Sequence, residues 1–566
     1  LCSNLPQERI PWETSNDIPR NGHRKVAPQP RALKALELAL HIPTAGYNVY
    51  LSGESNLGRT YMLREFLEPR IRKAPTPPDL LYVNNFEDPD RPLLLTVPVG
   101  QGRKLRSALS QALADVRKEL PVRLDNEKYV KKRSELQDDF QSVRSGLIKQ
   151  MDKTAGKQGF NLDMDEQGSL TLYPRLSEEE YEHLDPALRQ GLKRKGDTLL
   201  RAMSGMVRKL NSAEQSFRSA EKTLEQEVIG SVLSAVLTPV VERILKNCAG
   251  PDGEVNPALQ DYFEDLRQDI LDHPEGFLPR DTPPSPSASL SAALSGEPSH
   301  PEGDTYLYDV NVFVDNSGNK GAPLVIEDHP TVANLLGCVE RESEMGALVT
   351  DFTLIKAGSL HRANGGFLVL HIEDVLQHPG AWEGLLRALR AGSARLEEAG
   401  DVPDGAVRTK GIEPEPVPLN LKVVLVGNEE LYEALLTNDD RFAKLFKIKA
   451  HMTETVERTA ADIRAWLIRV AGIIDETSLL QFSRGALAGL VDFSSRVAED
   501  QRKLSLKFPL MRDVMIEASA MASMHGSGLV EAAHLEEALE TRLYRANLVE
   551  ELYMEESKGS PSSECW

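Results

Sequence analysis

The segment Gly53-Glu54-Ser55-Asn56-Leu57-Gly58-Arg59-Thr60 has the residue types and spacing of a phosphate-binding loop, G-x-x-x-x-G-K-[ST], with arginine where lysine is usual. In such a loop the backbone N–H groups and the helix N-terminus that follows hold phosphate oxygens, and the lysine sits between the phosphates as a compact point charge. Gly53 and Gly58 let the backbone approach closely, and Thr60 closes the loop pattern. Arg59 keeps the charge on a larger planar group, while Glu54, Ser55, Asn56 and Leu57 complete the loop. The expected chemistry is binding of a nucleotide, not tuned for its hydrolysis. The same glycine spacing also suits an ordinary strand-to-helix turn.

Hydrolysis needs an acidic pair at the tip of a neighbouring strand: an Asp to hold magnesium through water and a Glu to polarise the attacking water. Gly365-Gly366 followed by Phe367-Leu368-Val369-Leu370 reads as such a buried strand, but its tip carries His371 and Ile372. The carboxylates Glu373 and Asp374 come late. If the strand continues, Glu373 shares a face with His371 but lies roughly 6–7 Å further along. Val423-Val424-Leu425-Val426-Gly427 ends in Asn428, a polar side chain placed to orient water near a γ-phosphate. His361, His371 and His378 have no carboxylate partner at ligand spacing, which argues against a metal site.

These residues must be positioned by strands that end side by side. The apolar run Tyr47-Asn48-Val49-Tyr50-Leu51 predicts the strand before the loop, and Tyr61-Met62-Leu63-Arg64-Glu65-Phe66-Leu67 suits the helix after it. Ala32 to Leu40 predicts a helix and Leu80 to Phe86 a second buried strand, the start of an α/β sheet over residues 31–100. Residues 1–30 form a polar, proline-bearing arm over that first domain.

From about residue 101 the apolar period becomes helical, with Leu105, Leu109, Leu113, Val116 and Leu120, then Leu136, Phe140, Val143, Leu147 and Met151. Phe160 to Tyr173, with Gln167-Gly168 at its middle, predicts a small hairpin. Met203, Leu210, Phe217 and Leu224 then recur in heptads with Met206, Ala213 and Ala220, which fits a coiled coil and a plain amphipathic bundle equally. Residues 279–304 are rich in Pro, Ser and Gly and predict a disordered linker. Strand-like runs return over 305–450, a helical lid is expected over 451–550, and 551–566 is a polar tail.

The chain has 566 residues, a hydrophobic fraction of 40% and a net charge of −20, enough for several buried cores. That charge argues against a general nucleic-acid binder. The four cysteines show no paired metal spacing, so a reducing compartment is expected. The apolar run Val228 to Val241 is short for a bilayer span of about 20 residues. No leader precedes the first domain, and a cytoplasmic protein with no membrane partner is expected.

The run Ile355 to Leu370, with Ala357-Gly358-Ser359-Leu360-His361-Arg362-Ala363-Asn364-Gly365 at its centre, resembles the approach to the Walker B strand in Lon-like AAA+ proteases. Tyr82 to Pro89, Val310 to Gly318, Gly346 to Lys356 and Ala381 to Leu385 resemble the bacterial Lon-related subfamily whose ATPase core is split. The resemblance covers most of residues 31–550. It implies an α/β AAA+ (P-loop NTPase) core, interrupted by a helical or coiled-coil insertion and followed by an all-α lid. The family's protease domain uses a serine nucleophile and a lysine base. No matching serine motif follows the lid, so the chain is expected to lack that activity by itself.

The implied cofactors are ATP and Mg2+; residue by residue, the resemblance places Gly53, Gly58, Arg59 and Thr60 in the phosphate loop, with the Thr60 hydroxyl on the magnesium side, and His371 and Ile372 at the Walker B aspartate and glutamate. It places Asn428 at sensor 1, Arg441 as an arginine finger for a neighbouring subunit, and Lys507 or Arg512 at sensor 2. Glu373 is the nearest later carboxylate. Met345 and Phe352 are candidates for contact with a polypeptide in a central pore, with core packing the better reading for Phe352. The implied partners are protein substrates, a homo-oligomeric ring such as a hexamer, and a separate protease component. Two other readings stay open. One is a nucleotide-binding scaffold with little turnover. The other is a transcription-activator-like motor, which would need a basic DNA-binding helix pair that the acidic lid and tail do not offer.

Overall fold

The computed structural model describes residues 4–19, 29–44, 46–164, 170–176, 185–250, 254–278, 304–344, 347–396, 407–408 and 411–559. In chain order the elements used below begin with α1 (Pro30–His41), β1 (Val49–Ser52), α2 (Arg59–Ile71), β2 (Asp79–Val83) and β3 (Leu93–Val97). Next come α3 (Gly102–Leu124), α4 (Glu127–Lys157), β4 (Phe160–Met164), β5 (Leu170–Pro174), α5 (Pro186–Cys248) and α6 (Pro257–Asp272). β6 (Val310–Val314), β7 (Leu324–Glu327), β8 (Phe367–His371), α7 (Ile372–Leu376), α8 (Pro379–Ala391), β9 (Lys422–Gly427), α9 (Glu429–Asn438), α10 (Asp440–Leu445) and β10 (Ile448–His451) follow. The last are α11 (Ala460–Glu476), α12 (Arg484–Val497), α13 (Phe508–Met524) and α14 (Ala532–Ala546). Two compact units result, one within Leu1–Tyr82, Asp90–Gly102 and Asn311–Trp566, the other within Val83–Pro89 and Arg103–Val310.

The first unit is built on a five-stranded parallel sheet of order β10-β1-β9-β8-β7. Its central strands β1, β9 and β8 are apolar on both faces because helices cover both sides, as parallel sheets require. Leu51, Val369, Val424 and Val426 pack on the side that carries Met62 and Phe66 of α2. Tyr50, Leu368, Leu370 and Leu425 pack on the other, against Trp382 and Phe442. The register pairs Ser52 with Gly427 and His451, and His371 with Val426. The tips of β1, β9, β8 and β10 therefore end together, with β9 between the strand of the loop and the strand of His371.

β2 does not join this sheet, contrary to the sequence expectation. It lies in a separate three-stranded sheet of order β3-β2-β6. The buried Asp79 holds the start of β2 there, accepting from Gly102 N–H (3.0 Å) and Asn316 N–H (2.9 Å). The strand next to β8 is instead β7, whose four residues are only half-buried and carry a weaker signal.

The lid helices α11 to α14 bury Trp466, Leu487, Met511 and Leu535 in one core with α2 and β1. The lid is not purely helical: Thr455–Glu457 pairs with Lys503–Ser505, and Gln481–Phe482 with Leu529–Val530. The N-terminal arm packs on this lid rather than over the first domain. Leu5 N–H donates to the Asp492 carboxylate (3.0 Å), Ser15 Oγ donates to Gln481 Oε1 (2.7 Å), and Phe482 N–H donates to Ser15 Oγ (2.8 Å).

In the second unit α4 and α5 run together. Met151, Ala155, Phe160, Leu199, Met203 and Leu210 form their seam, and Phe140 stacks on Phe217 at 4.8 Å. β4 and β5 form the expected antiparallel hairpin; the expected turn at Gln167-Gly168 lies outside the described residues, as does nearly all of the expected linker. α5 has 63 residues, and an 18-residue stretch of it has mean hydropathy 1.7, so its length sets no bar to crossing a bilayer. Ile229, Val232, Leu233 and Leu237 of this helix are buried, and α5 packs on α6.

Candidate functional site

The loop leaves β1 at Gly53, whose N–H donates to Gly427 O (3.2 Å) and ties the loop to the end of β9. A Cβ at Gly53 would come within 3.1 Å of both Leu57 Cδ1 and Met452 Cβ, tighter than ordinary contact, so glycine fits where a larger residue would have to push a neighbour aside. Asn56 and Gly58 both adopt φ of 66°, the left-handed region that glycine and asparagine enter most readily. Gly58 is the N-cap of α2, so no side chain caps the first-turn N–H groups. The positive end of α2 thus opens onto the loop, the arrangement that binds phosphate. Leu57 is buried and anchors the loop, while Glu54, Ser55 and Asn56 are exposed along it.

Arg59 begins α2 and its Nη1 donates back to Gly53 O (2.8 Å), spanning the loop from end to start. Thr60 Oγ1 lies 3.3 Å from His371 Nε2. His371 is the last residue of β8, on the face of α2, which brings the two together across β9. Ile372 is fully buried, and a Cβ on Gly427 would lie 2.5 Å from its Cγ2, so it belongs to the core. Glu373 does not continue a strand. The chain turns helical at Ile372, so Glu373 is an exposed residue in the first turn of α7. The rise expected from extended backbone therefore does not apply.

Asn428 caps α9, its Oδ1 accepting from Leu431 N–H (2.8 Å), while its backbone carbonyl accepts from the Tyr50 hydroxyl (2.7 Å). Burial, the Glu373 carboxylate and the Glu429 carboxylate all push the Tyr50 hydroxyl pKa up, against the opposing charge of Arg59. Glu429 was not legible as a site residue from sequence. It accepts from Ser52 Oγ (2.6 Å), from the Lys449 ammonium and from His451 Nδ1 (3.1 Å). Burial pushes its carboxyl up, but the hydrogen bonds from Lys449 and Ser52 outweigh this and hold it below the usual range. Its one sequence signal is adjacency to Asn428.

A cleft opens from the loop toward the lid, lined by Gly58, Met62, Met452, Ile473, Phe508 and Arg512. Of the two lid cations expected from sequence, Arg512 lines this cleft, whereas Lys507 pairs with Glu454 (3.1 Å) at the start of α13. Tyr61, Arg469 and Glu476 also line it, and none of the three was expected.

Arg441 lies elsewhere, at the start of α10. Its guanidinium is held by both oxygens of Glu383 (2.6 and 2.8 Å) and by Asp439 (2.9 Å). Hydrogen bonds to Glu383 and Asp439 push its pKa further up. Phe352 is buried, in a short turn capped by Asp351. Met345 lies outside the described residues. The three histidines are not brought together. His361 is buried in the core, His371 sits at the strand tip, and His378 precedes α8 beside His329.

Sheet order and loop geometry define an α/β P-loop core with a cleft between the loop and the lid. Comparison with known proteins agrees. Residues 320–453 match the LonB-like AAA domain family, 481–545 the archaeal LonB AAA+ ATPase lid domain, and 79–112 the Lon-like LonC helical domain. An archaeal Lon protease from Methanothermobacter thermautotrophicus is 32% identical over 100 residues, which cover 17% of this chain and 15% of that protein. Among solved structures, NtrX from Brucella abortus in complex with ADP aligns at 16% identity and a TM-score of 0.24, over 38% of this chain and 42% of that one. A full-length MCM homolog from Methanopyrus kandleri aligns at 18% identity and a TM-score of 0.16, over 39% and 44%. The fold assignment rests on the strand order and the family matches, which support a Lon-related AAA+ protein with a nucleotide-binding core.

Proposed function

We propose that the chain is the ATP-binding AAA+ module of a Lon-type proteolysis system, its core interrupted by the helical segment 101–278. It assembles as a homo-oligomeric ring such as a hexamer and handles substrate polypeptide for a Ser–Lys peptidase outside residues 1–566. The protein is cytoplasmic, with no nucleic-acid or membrane partner. The observation that carries the reading is the loop between β1 and α2, whose glycine N-cap leaves the helix N-terminus open beside Arg59 and Thr60. The match to an archaeal Lon protease favours the proteolytic context.

In this reading the phosphates rest on the N–H groups at the start of α2, with Arg59 and Arg512 as counter-charges. Asn428 orients water and Arg441 serves a neighbouring subunit's site. Bound Mg2+ would supply positive charge that offsets the phosphates. The Thr60 hydroxyl would hold it on the protein side, while at the described strand tip His371 offers an imidazole where an oxygen ligand is preferred.

A second reading, a nucleotide-binding ring scaffold with little turnover, is favoured by His371 and the buried Ile372 at the strand tip. Nucleotide affinity and steady-state hydrolysis of the purified chain decide between them. Turnover above roughly 1 per minute at saturating ATP excludes the scaffold, since without its acidic pair the site loses most of its catalysis of phosphoryl transfer. Failure to bind any nucleotide overturns both.

A further inference from the structure

A last helix, α15 (Leu548–Gly559), follows α14. Leu548, Val549, Leu552 and Tyr553 recur on it at the spacing of one helix face, as two pairs four residues apart. All four are between 52% and 78% exposed, so the stripe has no cover within the chain. The same helix is acidic in sequence, with Glu550, Glu551, Glu555 and Glu556 against Lys558. A contiguous apolar face rimmed by charge is the mark of a contact surface.

A matching surface lies in the second unit, where α3 and α5 bound an open groove of about 600 Å³. Its apolar lining comes from Ala108 and Ala112 on α3 and Val236 and Val240 on α5, each pair four residues apart. These side chains are short, which leaves room for longer ones to enter between the helices. The rim is basic, from Arg103, Lys104 and Arg243, with Asp115 three turns along α3 from Arg103. α3 also carries Arg106, Arg117, Lys118 and Arg123 against Asp115 and Glu119, in a chain whose net charge is −20. We propose that α15 of one copy of this chain seats in the α3–α5 groove of a second copy, apolar stripe inward and glutamates on the basic rim.

Three matches select this occupant. The first is spacing: an amphipathic helix in a groove is read through anchors three and four residues apart, and both surfaces present such pairs. The second is length. The wall from Arg103 to Asp115 runs about 18 Å at the helical rise, and the 12 residues of α15 span the same about 18 Å. The third is charge, since the acidic helix meets cations that repel a basic partner or a second α3. The two surfaces differ, so the contact is heterologous: each copy offers one helix and one groove, and repetition builds a ring or a filament. The contact touches neither the phosphate loop nor the lid cleft. It goes beyond the reading above, and it can fail with nucleotide binding and assembly both intact.

The test is photo-crosslinking between full chains. A light chain with p-benzoylphenylalanine in place of Tyr553 is mixed with a 15N-labelled chain, and joined peptides are mapped by mass spectrometry. Light peptides from α15 should join heavy peptides that hold residues 103–115 or 236–243. The yield should fall at least about fivefold on raising salt from about 50 to about 500 mM, because the rim charges are exposed and screened. Heavy chains with Lys104→Glu and Arg243→Glu should lose the yield by a similar factor, and light chains that also carry Glu550→Lys and Glu551→Lys should regain it against them. All four positions are exposed, and thermal unfolding checks that the variants fold as the wild type does. Crosslinks confined to the light chain would mean that α15 folds back on its own copy. That result, crosslinks to other surfaces, no crosslinks, or a yield indifferent to the charge reversal each overturns the proposal.

Discussion

Thr60 Oγ1 faces His371 Nε2 at 3.3 Å, so the magnesium-side hydroxyl of the loop meets an imidazole across the sheet rather than a carboxylate. The strand register fixes this pairing. β1 and β8 each pair with β9, and their last residues sit opposite Gly427 and Val426. The hydroxyl is an oxygen ligand, but an imidazole in place of a carboxylate is a poor one for a hard cation.

His371→Asp should therefore strengthen the magnesium dependence of nucleotide binding and raise ATP turnover, measured at fixed ATP across a magnesium titration. An unchanged magnesium dependence would mean that residue 371 does not address the ion. Adding Ile372→Glu, the other half of an acidic pair, should be costly. Ile372 is fully buried against Gly427 and Tyr50, so a carboxylate there should destabilise by roughly 2–4 kcal/mol in urea unfolding.

His361 offers a separate check through pH. Burial lowers its pKa to about 4. Its Nδ1 accepts from Gly358 N–H (3.2 Å), its buried Nε2 has no hydrogen-bond partner among the described residues, and its ring lies edge-on to Phe313 with centroids 4.8 Å apart. The folded pKa lies below the unfolded value of about 6.5, so the unfolded chain binds the extra proton first. Stability from this group is full above pH 6.5 and is lost as pH falls toward 4, by roughly 3 kcal/mol. His361→Leu should flatten the unfolding free energy between pH 6.5 and 4.5. An equal slope in the variant would show that His361 is not the titrating group. Below that window Glu429, Glu383 and Asp439 take over, because their lowered pKa values hold stability that is lost on further acidification.

Arg441 is held within its own chain by Glu383 and Asp439. If it also serves a neighbouring subunit, one of these partners must yield on assembly. Wild-type turnover per chain should then rise with protein concentration, Arg441→Ala should abolish that rise while keeping nucleotide affinity, and Glu383→Gln should steepen it. A concentration dependence that survives Arg441→Ala would confine this residue to its intrachain pairing.

Much of the sheet was legible because β1, β8 and β9 are apolar runs ending in chemically distinctive residues. β2 shows where that reasoning stops. Its pattern reports burial, not which sheet does the burying, and only the Asp79 contacts to Gly102 and Asn316 reveal a second sheet. Glu373 was misplaced because a strand period was carried past the residue where the chain turns helical. Glu429 acquires meaning only from the register that brings Ser52 and His451 beside it. Tyr61 and Glu476 are 415 positions apart, and no local pattern links them.

The arm gives the sharpest stability test. Ser15 is fully buried, and its hydroxyl both donates to Gln481 Oε1 and accepts from Phe482 N–H, joining the arm to the lid where Gln481–Phe482 pairs with Leu529–Val530. Ser15→Ala leaves a buried amide and a glutamine oxygen without this partner, at about 1–3 kcal/mol. Ser15→Thr keeps the hydroxyl but adds a methyl group in a fully buried position, so it should fall between wild type and alanine. Thermal unfolding of the three chains should rank them in that order, with nucleotide affinity little changed because the lid cleft is lined by other residues. If Ser15→Ala matches the wild type, the arm does not contribute to lid stability and its contacts with Gln481 and Phe482 are replaced by water at no cost.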